Sequence, residues 1–315
     1  MEQRRLGRTG ATVGVVVLGA ATWGRGTDRE EARRQVHMLV DAGGNLIDVD
    51  PESTDPGIAH DAIVASGARR DAFVSLRLAA SASRGALLSR LDAAIAATGV
   101  EHADLWLVEG WAGGTPWGEL VSALAIAQQT GRAMYVGLVP AEPWQASLVA
   151  GALASHADRS DLAALCIPYS LLDVATARPY ADIADALSVG LIGAWPLAGG
   201  VLTGKYRHAT PPDSRGAGER HAERMHHYRE PWARPVVDGL CAAGEGLGIP
   251  AASAALAWVR ERPRVCATLV GARTTHQWKA ALDSAQVVLP SEIRHVLDEV
   301  AAQAVAVGEN DPDVG

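Results

Sequence analysis

Lysine is almost missing from this 315-residue chain: Lys205 and Lys279 are the whole complement, and the other basic residues are arginines. No tyrosine precedes Tyr135. Any chemistry that needs a lysine or a tyrosine in the first third of the chain is therefore excluded. Cysteine is scarce as well. Cys166, Cys241 and Cys266 are scattered and odd in number, which argues against a disulfide framework or a thiolate zinc site and fits a reduced, cytoplasmic protein. No apolar run reaches the ~18 residues of a bilayer span. The opening MEQRRLGRTG lacks an apolar core and a cleavage site, so no secretory signal is expected. A net charge of −8 argues against a general nucleic-acid surface.

What is present is a regular alternation. Residues 2–14 read as a hairpin turning at Gly7–Gly10. Short apolar runs then recur at Val15–Ala21, Asn45–Val49, Phe73–Leu78, Asp104–Val108, Ala133–Leu138, Leu162–Ile167, Val189–Ala194 and Cys266–Val270. They are long enough for buried strands and too short for helices. Between them lie helical stretches: Asp28 is placed to cap Arg29–Ala42, Arg84–Thr98 has apolar residues three and four apart, and Thr115-Pro116 opens a helix that Gly131 closes. Helices are also expected at His60–Ser66, Pro143–Ser155, Ala175–Leu187, Pro235–Glu245, Ala251–Arg262, Thr274–Ser284 and Ser291–Ala302, with an irregular polar span at Gly216–Glu230.

Eight buried strands alternating with helices, without a linker-like shift in composition, predict an α/β fold: one (β/α)8 TIM barrel domain over residues 1–315, with an N-terminal β-hairpin, a C-terminal helix and a flexible tail from about 303. An open doubly wound sheet is the alternative, but LGAATWG after the first strand does not match its GxGxxG turn. In a barrel the working groups stand at the C-terminal ends of the strands. That makes Trp23, Asp48, Asp50, Arg77, Glu109, Val139, Cys166, Trp195 and Gly271 the positions of interest.

Several segments, in order, resemble the aldo/keto reductase family, near its bacterial and potassium-channel β-subunit-like branches. They are RRLGRTGATVGVVVLGAATWG, AGGNLIDVD, HADLWLVEGW, TPWGELVSALAIAQQTGRAMYVGL, IPYSLLD, WPLAGGVLTGKY, PPDSR, SAALAWV and LVGARTTHQW. The resemblance implies a TIM barrel that binds NADP(H) across its strand ends and reduces aldehydes or ketones. A tyrosine would give the proton, assisted by a lysine, an aspartate and a histidine, in general acid catalysis.

Only the aspartate of that set is matched, by Asp48. Ser53 stands at the tyrosine position, Arg77 at the lysine and Glu109 at the histidine; His102 precedes its strand. Asp48 reads equally as a functional group or as a buried partner of Arg77. Glu109 reads as a raised-pKa acid or as a group merely bonded to Arg77 or solvent. The resemblance places Cys166, Trp195, Pro196, Leu197, Gly200, Leu202, Gly204, Lys205, Arg215, Gly271, Ala272, Arg273, Thr274 and Gln277 on the cofactor, and Trp23 and Trp111 in the substrate pocket. Lys205 and Arg215 would face its diphosphate, and residues 271–277 the 2′-phosphate and adenine at a helix N-terminus. Val139 and Pro140 replace a Ser-Asn pair that holds the carboxamide, and Ala280 and Ala281 replace adenine contacts, so binding is expected to be weakened. Two adjacent histidines, His226 and His227, do not make a metal site, and no metal is expected.

Three functions follow. One is an NADP(H)-dependent oxidoreductase acting on a small carbonyl compound with Glu109 as a non-standard proton donor. Another is a catalytically silent member that binds NADP(H), or nothing, and acts through partners. The third is a non-redox lyase or isomerase that uses Asp48 and Glu109.

Overall fold

The structure is a computed structural model and describes residues 1–111, 115–155, 161–207, 209–210 and 222–309, with side chains to 304. Two short strands open the chain, β1 (Gln3–Arg5) and β2 (Thr12–Gly14), paired antiparallel. The barrel strands follow: β3 (Val16–Gly19), β4 (Leu46–Val49), β5 (Phe73–Ala79), β6 (Ala103–Glu109), β7 (Ala133–Val139), β8 (Leu162–Pro168), β9 (Gly190–Ala194) and β10 (Val265–Val270). Each pairs in parallel with its sequence neighbour, and β10 pairs with β3 to close the barrel. The (β/α)8 barrel and its hairpin are as the alternation predicts.

The main helices are α1 (Arg29–Asp41), α2 (Pro56–His60), α3 (Arg84–Thr98), α4 (Trp117–Gln129), α5 (Pro143–Ala154), α6 (Val174–Leu187), α7 (Ala222–His227), α8 (Arg234–Leu247), α9 (Ala251–Arg260), α10 (Thr275–Asp283) and α11 (Ser291–Glu309). Their starts follow local chemistry. Asp28 accepts from Glu31 N at the head of α1, Ser83 from Ala86 N at α3, and Thr274 from Gln277 N at α10. One expectation is corrected: the polar span at 216–230 contains α7. α11 runs to Glu309, into the tail expected from 303; residues 310–315 lie outside the described residues.

Two apolar layers hold the fold. One lies between the barrel wall and the helices and includes Trp106, Trp258 and Trp278. The other fills the barrel interior, where Leu6 and Val13 of the hairpin pack with Val17, Leu105, Leu107 and Ile192. The hairpin therefore closes the N-terminal end of the barrel. Gly137 on β7 permits close packing: a Cβ there would lie 2.6 Å from the Ala164 carbonyl oxygen. With one end plugged and the interior packed, chemistry is left to the C-terminal mouth. Among the described residues no single helix is long and apolar enough to cross a membrane.

Candidate functional site at the barrel mouth

The ends of β4, β5 and β6 bring three of the singled-out residues into one ion network. Asp48 and Ser75 are paired in register across β4 and β5, and Arg77 and Leu107 across β5 and β6. Arg77 sits at the centre. Its Nε and Nη2 reach Asp48 Oδ2 at 3.2 and 3.1 Å, and its Nη1 reaches Glu109 Oε2 at 3.3 Å. Asp48 is buried, Arg77 nearly so, and the Glu109 side chain is 42% exposed. Of the two carboxylates, Glu109 is the one that faces solvent.

Burial pushes the Asp48 carboxyl above its ordinary range; the Arg77 charge opposes this, and the negative charge of Asp50 adds to it. Its Oδ1 has no hydrogen-bond partner. Ser75 stands near enough to favour the ionised form as a minor contribution, but out of hydrogen-bond geometry. Glu109 is raised by the same causes in the same order: desolvation first, Arg77 opposing, then Asp50 and Asp48 raising it. Arg77 is held firmly charged, with Asp48 the largest cause. An arginine stays charged at any working pH and presents a fork to two carboxylates, which a lysine does not.

Ser53 meets a third carboxylate of the mouth, Asp50. It is buried on the turn after β4, and its hydroxyl donates to Asp50 Oδ2 at 2.6 Å. Cys166 is buried at the floor of the site, its thiol pushed up chiefly by burial and secondarily by the charge of Asp48, so it stays neutral. His102 lies just before β6, beside Asp104, at the opposite end of the barrel.

The two pocket tryptophans fare differently. Trp23 is a correction: it is wholly buried in the core, with its indole N–H on Gln35 Oε1 at 3.1 Å, and lines no cleft. Trp111 is mostly buried, its indole N–H donating to the Thr115 carbonyl, and its ring meets Trp144 at 5.7 Å between centroids. Trp144, at the start of α5, is 56% exposed. Together they form an aromatic wall just beyond the end of β6.

The loop after β9 forms the other side. Trp195 takes a positive φ of 53°, and Pro196 and Leu197 lead into a tight turn over Ala198–Thr203. Leu197 O accepts from Gly200 N and Leu202 N. Gly200 has φ +97°, and a Cβ added there would lie 2.9 Å from Lys205 Nζ. The ammonium thus rests on the glycine turn, with Gly204 (φ +77°) permitting the reversal. The glycine turn is buried and Lys205 exposed, so it is the Lys205 ammonium that this loop presents to an anion such as a diphosphate. Arg215 lies outside the described residues.

The segment expected at the far end of a dinucleotide is largely self-satisfied. Ala272 O accepts from Thr22 Oγ1, Arg273 N donates to Gln277 Oε1, and Gln277 N donates to Thr274 Oγ1. Glu31 accepts from Thr275 N at the start of α10, so a phosphate arriving there must displace a carboxylate. Gly271 leads into this segment directly from β10. At the ring end, Val139 and Pro140 offer no polar side chain. The Trp195 ring carries the Arg224 guanidinium at 5.1 Å, and Met225 packs under Gly199. The α7 contacts and the Glu31 cap were invisible in sequence because they join residues far apart in the chain. No local motif marks them.

His226 and His227 both face Glu230 from α7. Among the described residues no group of three or more His, Cys, Asp or Glu side chains is arranged to hold a metal ion.

The sequence profile of the aldo/keto reductase family matches residues 15–302. Similar chains include an uncharacterized oxidoreductase, YrpG, of Bacillus subtilis, 26% identical over 95% of this chain and 96% of its own length. A probable voltage-gated potassium channel subunit beta of Arabidopsis thaliana is 26% identical over 95% of both chains. An L-glyceraldehyde 3-phosphate reductase of Escherichia coli O157:H7 is 31% identical over 62% of this chain and 57% of its own. With the profile covering the whole barrel, and the barrel closed as described, this chain belongs to the aldo/keto reductase family of oxidoreductases.

Proposed function

We propose that the protein is a cytoplasmic oxidoreductase that interconverts a carbonyl compound and its alcohol with a nicotinamide dinucleotide, using Glu109 as proton donor in place of the missing tyrosine. The observation that carries this reading is the bridge from Arg77 to Asp48 and Glu109 at the mouth. The dinucleotide supplies or takes up the hydride. Lys205 and the Gly200 turn hold its diphosphate. The resemblance of residues 271–277 supports NADP(H) as that dinucleotide, and the Glu31 cap supports weakened binding. Asp48 fixes Arg77 from the buried side; Arg77 positions Glu109 and offers positive charge to oxygen as charge develops there. Glu109, half-exposed and with its carboxyl raised above the ordinary range chiefly by desolvation, gives its proton to the carbonyl oxygen. Ser53 holds Asp50 in place.

Two observations favour a second reading, binding without turnover: Arg224 on the Trp195 face and the unhelpful Val139-Pro140 pair leave the ring end poorly prepared. The test is to titrate the protein with NADPH and NADH while following tryptophan fluorescence, then to assay aldehydes, ketones and quinones. Saturable binding with turnover supports the first reading; binding without turnover on the whole panel supports the second. No binding at roughly 1 mM, the weak end of useful affinity, refutes the dinucleotide in both.

A further inference from the structure

Three cations stand around the loop after β9 without a counter-charge. Lys205 Nζ lies over the Tyr206 ring, 5.0 Å from its centroid, and the Arg229 guanidinium carbon lies over the same ring at 5.3 Å. Arg224 lies over Trp195 at 5.1 Å. The two rings flank one glycine pair: a Cβ on Gly199 would be 3.6 Å from the Trp195 ring, and one on Gly200 would be 3.8 Å from the Tyr206 ring. Lys205, Arg224 and Arg229 are all exposed. Among the described residues none of the three has a carboxylate partner. Arg229 donates to Thr210 Oγ1 at 2.5 Å, and the neighbouring Glu230 faces His226 and His227 instead. A ring face holds a cation without neutralising it. In a chain with 36 acidic and 28 basic residues, three unneutralised cations gathered on one turn suit an anion.

The arginines are also fixed in place. Between them in the chain, Met225 and Tyr228 are buried. Met225 packs against Gly199, and the Tyr228 hydroxyl donates to Asp173 Oδ1 at 2.7 Å; this buried carboxylate also accepts from Ser170 Oγ at 2.5 Å. The anchor joins α7 to the turn after β8, so the guanidinium groups meet a ligand already ordered. The two ends of a bound dinucleotide find no such preparation. Val139 and Pro140 offer the nicotinamide no polar side chain, and Glu31 already caps α10.

We propose that Lys205, Arg224 and Arg229 form one diphosphate site, and that this site, more than the nicotinamide or adenine end, sets which ligands bind: nucleoside diphosphates as a class. The proposal deepens the dinucleotide reading of this loop and rests on it. Two forked guanidinium groups suit adjoining phosphoryl groups. The nicotinamide and a 2′-phosphate then add little affinity.

The test is calorimetric titration of the full-length protein at pH 7 and low salt with adenosine, inorganic pyrophosphate, ADP, ADP-ribose, NADH and NADPH. The last four should bind within about 5-fold of one another, and adenosine about 100-fold more weakly than ADP. Arg224→Gln and Arg229→Gln should each weaken those four and pyrophosphate by about 10-fold, the scale of one charged hydrogen bond, and added salt should weaken them all. Arg132→Gln, which removes a cation paired with Asp92 at the other end of the barrel, should leave the affinities unchanged. NADPH binding about 100-fold tighter than ADP-ribose overturns the proposal, as do arginine variants within about 2-fold of the unaltered protein. So does an Arg224→Gln variant that tightens NADPH alone, since the nicotinamide ring would then be displacing the guanidinium. Nucleotides bound alike without carbonyl turnover defeat the oxidoreductase reading alone. Turnover with NADPH bound no more weakly in the arginine variants defeats this one alone.

Discussion

Replacing Arg77 by methionine tests the network at its centre. The side chain keeps most of its apolar stem and loses the guanidinium, which is 18% exposed, leaving Asp48, at 4%, with no cation beside it. Removing one partner of a buried pair costs about 3–5 kcal/mol. Unfolding entropy near 2.1 cal/mol/K per residue gives roughly 0.66 kcal/mol/K for a chain of this length, so Tm should fall by about 5–8 °C. The loss should depend on pH, with a definite sign. The Asp48 carboxyl is already raised, and Arg77 is the largest opposing influence. Without it the folded-state pKa rises further above the unfolded value. A raised carboxyl leaves stability intact below the unfolded pKa and erodes it as pH climbs through the folded one. Arg77→Met should therefore be hurt more at pH 8 than at pH 5, and Asp48→Asn added to it should recover part of the loss at pH 8. Differential scanning fluorimetry at the two pH values reads this directly. A Tm drop that is equal at both, or a double variant no better than Arg77→Met, would refute the account of Asp48 as a buried charge that Arg77 keeps soluble in the barrel.

Four further outcomes are expected. Glu109→Gln should lower kcat for carbonyl reduction by about 100-fold, and should abolish the decline in rate as pH rises through the raised Glu109 pKa; an unchanged pH–rate profile removes Glu109 as the acid. Lys205→Gln should weaken dinucleotide binding by about 10-fold in a fluorescence titration, as loss of a charged contact does. Tyr228→Phe removes a 2.7 Å hydrogen bond to buried Asp173 and should cost about 1–3 kcal/mol, more at pH 8 than at pH 5, because that bond stabilises the ionised carboxyl. In thiol titration at pH 8, Cys241, beside an open cleft of about 300 Å³, should react first. Cys166 and Cys266 should react only on denaturation, since burial holds Cys166 neutral and pushes Cys266 up to about 12.

The barrel was legible because its signal is local. Runs such as Leu46–Val49 and Leu162–Pro168 are buried on both faces and read as short apolar strands whatever surrounds them. Helix starts such as Asp28 and Thr274 carry their own caps. Strand order follows from the short right-handed connections of βα units. The same locality placed Asp48, Arg77 and Glu109 at three strand ends, and showed that a lysine and a tyrosine are missing there. Which of these touch was decided only in three dimensions. Strand stagger and barrel closure set whether Arg77 reaches one carboxylate or two, and they left Glu109 in solvent and Asp48 out of it. Trp23 looked like a pocket residue because it follows a strand end, yet the turn after β3 points its ring inward to Gln35 of α1. Arg224 on Trp195 and Glu31 on Thr275 join residues 29 and 244 positions apart. Periodicity and capping rules reach only a few residues along the chain, so contacts at such separations exist only once the barrel has closed.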